Sequence, residues 1–132
     1  MFKYAKNREV LWPVVIQVPQ DGGTVQEVTV KVRYKLLTRN EMAAAVRDAG
    51  DIKDTGGMIE QERLDATDNW LVDHITGWED INDTDTQSPL IFSREMCLEL
   101  MQSPYVRNAI DAGLWEASRG AQVKNSLPGV AG

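Results

Sequence analysis

Between Leu64 and Ile81 the apolar positions fall at Leu64, Leu71, Ile75 and Trp78, with Thr67 between them. At about 100° per residue, these five share one narrow arc of a helical wheel. The spacing predicts a helix from Met58 to Gly77, with Trp70 and Val72 on opposite flanks of its buried stripe. Gly77 is the expected stop, because glycine accepts the left-handed conformation at a helix end. Trp78 then folds back onto the last turn, and an acidic loop follows from Glu79 to Pro89.

Upstream the period changes. From Val10 the run LWPVVIQV is rich in β-branched and aromatic residues, as strands are. Pro13 cannot donate to a ladder and restricts this strand to a sheet edge or a strand start. Asp21-Gly22-Gly23 signals a turn, and beyond it Val28, Val30, Val32 and Tyr34 alternate with Thr29, Lys31, Arg33 and Lys35. Residues 10–36 therefore predict a β-hairpin, and its apolar face needs cover because a lone hairpin is marginal in water.

Helices supply that cover. Thr38 and Glu41 have the spacing of a capping box, opening a helix whose apolar side is Met42, Val46 and Ala49 and whose expected end is Gly50. Residues 51–57 read as a connection to the second helix. Ser93 caps a third helix carrying Met96, Cys97, Leu100 and Met101, and Ser103-Pro104 is a standard entry to a fourth. The fourth carries Val106, Ile110, Leu114 and Ala117 and ends at Gly120. The expectation is an α+β fold in a single domain, residues 1–132. An N-terminal β-hairpin packs on a bundle of about four α-helices in residues 38–121, followed by a flexible tail at 122–132.

Composition narrows the function. The 132 residues carry a net charge of -6, unevenly placed: residues 36–101 hold five Lys/Arg against fifteen Asp/Glu, whereas residues 1–35 hold six against three. An acidic middle repels a phosphate backbone, which argues against nucleic acid and for a basic partner. No run approaches about 18 apolar residues and the start lacks an apolar signal core, so neither a membrane span nor export is expected. A single cysteine, Cys97, suits a reducing compartment.

The residues offer little for catalysis. His74, the only histidine, lies four residues from Trp70, a spacing for stacking at the edge of a core. Cys97 sits in an apolar stripe with no histidine nearby. Asp80 to Asp85 fails as a calcium loop, because neither register puts a glycine at the turn or a glutamate at the last ligand position. No catalytic, cofactor or metal residue is assigned. Tryptophan is enriched at interface hot spots, so Trp70, His74, Trp78 and Trp115 are the candidate partner-binding residues, with Trp70 foremost.

The order of features resembles the tail-assembly chaperones of long-tailed bacteriophages. A strand ends in Val18-Pro19-Gln20-Asp21-Gly22-Gly23, and an acidic helix ends in Ile75-Thr76-Gly77-Trp78. Pro89-Leu90-Ile91-Phe92-Ser93 opens the next helix, Pro104-Tyr105-Val106 the last, and Gly120 with Lys124-Asn125 closes the match over most of residues 10–125. The resemblance implies a non-enzymatic protein of the host bacterial cytoplasm that coats the tape-measure protein and recruits tail-tube subunits. It further implies a homo-oligomer absent from the finished virion, and a longer product made by translational frameshift. The competing expectation is a structural virion component, such as a tail-terminator or head-tail joining protein, and a third is a small adaptor unrelated to phage.

Overall fold

The structure is a computed structural model that describes the backbone of residues 1–55 and 60–121 and the side chains of 1–48 and 64–121. The tail expected from Gln122 onward and the helix start expected at Met58 lie outside the described residues. The fold is α+β, with a three-stranded antiparallel sheet and four helices among the described residues.

Strands β1 (Glu9–Pro19) and β2 (Val25–Lys35) form the hairpin in continuous register, from Glu9 opposite Lys35 to Pro19 opposite Val25. The Gln20 amide closes the turn on the Thr24 carbonyl at 2.8 Å, while Gly22 and Gly23 take φ of +85° and +81°. The sheet order is β1-β2-β3, which leaves Pro13 on an edge strand as its missing N–H requires.

The third strand corrects the sequence reading. Ile75, Thr76 and Gly77, expected as the end of the second helix, Trp78, expected folded back on it, and Glu79, expected to open the loop, all belong to β3 (Ile75–Glu79), which pairs with β2. Val32 lies opposite Trp78, Arg33 opposite Gly77 and Tyr34 opposite Ile75, so Thr76 is the extra residue of a bulge. In a regular strand, residues three apart face opposite ways. The bulge returns Ile75 and Trp78 to one face, opposite the buried Tyr34 and Val32.

Helix α1 (Arg39–Thr55) opens with the expected capping box: Glu41 N–H donates to Thr38 Oγ1 at 3.2 Å, and Thr38 N–H to Glu41 Oε1 at 3.0 Å. It does not stop at Gly50, since an interior glycine costs only about 1 kcal/mol relative to alanine and no proline follows to break the run. Helix α2 (Glu60–Val72) ends well before Gly77. Among its described side chains the buried ones are Asp68, Leu71 and Val72, whereas Leu64 is 39% exposed, so the stripe is rotated from the one expected. Helix α3 (Arg94–Leu100) has its expected cap, with Ser93 Oγ accepting from Met96 N–H at 3.0 Å. Helix α4 (Pro104–Arg119) starts at the expected proline and closes at Gly120 at φ +70°, but the Ser103 side chain makes no cap bond, so the proline alone sets this entry.

The core lies on one face of the sheet. Val14, Val30, Val32 and Tyr34 meet Ile110, Leu114 and Ala117 of α4, and Leu71, Ile75, Cys97 and Met101 continue it sideways. Two bonds fix α4 on the sheet: the Tyr34 hydroxyl donates to the Ile110 carbonyl at 2.7 Å, and the Leu37 amide donates to Ser118 Oγ at 2.9 Å. Among the described residues no helix is long and apolar enough to cross a membrane.

Candidate functional site

Helices α1, α2 and α4 leave a groove of about 450 Å³ between them. Trp70 of α2 and Trp115 of α4 line it with ring centroids 6.3 Å apart and planes tilted by 33°. Both indoles are half-buried, so each is held by the core on one side and offers a face on the other. Ala45 and Val46 contribute from α1, and small residues Ala66 and Thr67 from α2. Val46, expected on the buried side of α1, is instead 67% exposed at this groove.

Arg107, Asp111 and Trp115 share one side of α4 at helical spacing, and Asp48 reaches the groove from α1. Arg107 Nε donates to Asp68 Oδ1 at 2.8 Å, and Asp68 is only 8% exposed, so this ion pair is built into the seam between α2 and α4. Burial raises the pKa of Asp111, opposed by the Arg107 guanidinium and by a hydrogen bond with Trp115. A second recess of about 360 Å³, lined by Leu64, Met101 and Pro104, shares Thr67 and Arg107 with the groove. The two therefore follow one another along the α2–α4 seam.

Of the four residues singled out in the sequence, the structure brings three together. His74 stacks on Trp70 at 4.9 Å, tilted by 49°, and Trp70 in turn faces Trp115. The His74 ring lies 2.9 Å through Nδ1 from the Trp70 carbonyl, which can only accept, so Nδ1 carries the proton. Nε2 faces the Glu41 carboxylate at 3.5 Å, while the His74 carbonyl accepts from Lys35 N–H at 2.8 Å. His74 thus links the start of α1, the end of α2 and the end of β2. Trp78 lies apart: its indole N–H donates to the Leu90 carbonyl at 2.7 Å, and its ring meets Phe92 edge-on at 5.0 Å.

Sequence reasoning missed Asp68, Arg107 and Asp111. Asp68 stands one turn before Leu71 and Val72, and an acid on a buried helical face is itself a signal for a paired cation. Cys97 is fully buried, and burial pushes its thiol up to about 11, which keeps it protonated and a poor nucleophile. Among the described residues no cluster of three or more His, Cys, Asp or Glu side chains is placed to hold a metal ion. No protein family, no curated protein and no solved structure matches the chain. The groove offers apolar contact edged by carboxylates, and that is a chemistry of binding.

Proposed function

We propose that the protein is a tail-assembly chaperone of a long-tailed bacteriophage, acting in the host bacterial cytoplasm, which coats the tape-measure protein and recruits tail-tube subunits. The observation that carries this reading is the groove in which Trp70, Trp115 and the exposed Val46 present apolar surface between three helices. It joins the order of sequence features from Val18 to Asn125 that resembles that family.

The mechanism is protection by burial. A long helical rod with exposed apolar stripes associates with itself unless those stripes are covered. Several copies of a small subunit, arranged along the rod, would cover them in turn. The acidic stretch between residues 36 and 101 keeps the coated complex soluble and disfavours contact between like surfaces. Release then requires a tube subunit that competes for the same apolar surface.

The test is co-expression with the tape-measure protein, affinity capture and size-exclusion light scattering. The expected result is a soluble, high-mass complex that dissolves otherwise insoluble tape-measure protein, with the chaperone absent from purified virions. A tape-measure protein that stays insoluble and unbound overturns the reading. Recovery of the protein in the finished particle moves it to the structural alternative, a tail-terminator or head-tail joining component.

A further inference from the structure

We infer that the Trp70–Trp115 groove takes a single amphipathic helix whose apolar stripe is flanked by lysine or arginine. The inference rests on the chaperone reading and specifies the kind of segment that the groove holds.

Shape is the first argument. The groove and the recess beyond it share Thr67 and Arg107 and run along the seam between two helices. A seam of this kind is read by side chains at i, i+3, i+4 and i+7 of a docked helix. An extended strand would need a free backbone ladder, and the groove is lined by side chains of helices. Contact chemistry is the second argument, since tryptophan is enriched at interface hot spots and two half-buried indoles line the groove, with the exposed Val46 adding apolar area beside them.

Charge selects the flanks. Asp48 and Asp111 line the groove; Arg107, the cation in its lining, is bonded to Asp68 at 2.8 Å, and Arg47 meets Asp48 only at 4.0 Å with both side chains largely exposed, a contact of little strength. Acidic flanks on the incoming helix meet like charge, whereas basic flanks meet carboxylates. Such rim charges govern which partner is accepted and how fast it arrives more than they add affinity.

The test uses two tryptophan-free synthetic peptides of about 20 residues, some 30 Å of helix, with the same leucine stripe and either lysine or glutamate flanks. Each is titrated calorimetrically into the full chain. The lysine peptide is expected to bind, and the glutamate peptide to bind at least about tenfold more weakly. Val46→Gln, at a site 67% exposed and therefore harmless to the fold, is expected to weaken the lysine peptide about tenfold by removing one apolar anchor. Asp48→Lys is expected to weaken the lysine peptide and strengthen the glutamate peptide.

Equal binding of the two peptides, no binding, or affinities that neither substitution moves would overturn the inference. The chaperone reading fails separately. A chain that binds the lysine peptide through the groove but leaves the tape-measure protein insoluble overturns that reading and keeps the groove. A tape-measure protein kept soluble equally well by the native chain and by Val46→Gln overturns the groove and keeps the chaperone.

Discussion

The hydroxyl of Tyr34 fills the space where Gly113 has no side chain: a Cβ on Gly113 would lie 2.5 Å from that oxygen and 2.9 Å from Val14 Cγ2. Gly113 is thus the point at which α4 touches the sheet, and the Tyr34–Ile110 bond forms because the helix comes that close. Alanine at 113 would gain up to about 1 kcal/mol of helix propensity but overpack the contact at a cost of about 1–3 kcal/mol. Gly113→Ala is expected to lower the melting temperature. In a double-mutant cycle with Tyr34→Phe, the combined loss should be less than the sum of the two, because the phenylalanine removes the nearer clashing atom and leaves only the Val14 contact to relax. A Gly113→Ala chain more stable than the native one would refute the close-contact account.

Asp68 and Arg107 form an ion pair whose side chains are only 11% and 23% exposed. Removing one member strands the other charge, which costs about 3 kcal/mol or more, whereas replacing both with apolar residues can be nearly neutral. Asp68→Ala should therefore shift the urea midpoint more than Asp68→Leu combined with Arg107→Met. Equal shifts would mean that the pair does not act as a unit.

Alkali should destabilise the protein through two buried groups. Burial raises the Cys97 thiol from 9.0 to about 11 and moves the Tyr34 phenol well above its ordinary 10.0. The unfolded chain ionises first, so the stabilisation is whole below pH 9 and fades as the pH climbs towards the folded values. Urea midpoints measured across this window should fall with pH, and Cys97→Ala with Tyr34→Phe should flatten the decline. In the native state a disulfide-exchange reagent should modify Cys97 only as fast as the chain opens.

The capping box at the start of α1 gives an opposite, acid-side response. The Thr38 amide, then the Thr38 hydroxyl and His74, hold the Glu41 carboxyl below its ordinary 4.5. Its contribution is present above that value and is lost as the pH falls through the lowered one. Thr38→Ala should cost about 1 kcal/mol at neutral pH, the usual worth of such a cap. Most of the mutant's deficit should persist in acid, because the Glu41 N–H bond to Thr38 Oγ1 does not depend on the carboxylate, whereas Glu41→Gln should flatten the acid-side response itself.

The hairpin, the N-caps of α1 and α3, and the proline start, glycine end and stripe of α4 were legible because their signals are local: alternation, a turn glycine, a serine or threonine at a fixed offset. Ile75 and Trp78 were misread for a physical reason. A spacing of three puts two residues on one face of a helix, and a bulge at Thr76 does the same in a strand. The pattern cannot separate the two, and only the free edge of β2 decides it. At the groove, Trp70 and Trp115 were visible as surplus indole, and the Trp70–His74 stack followed from their i, i+4 spacing. Asp68 and Arg107 are 39 positions apart, and nothing local joins them.

Packing α4 against β1 also orders events in time. Residues 110–117, which cover Val14 and Tyr34, are synthesised some ninety residues after β1. A hairpin without its cover is marginal on its own. Until α4 leaves the ribosome, the nascent sheet lacks that cover on its apolar face, and the domain closes late. A chain arrested just before Pro104 would be held in that open state, with β1 free to pair with other strands.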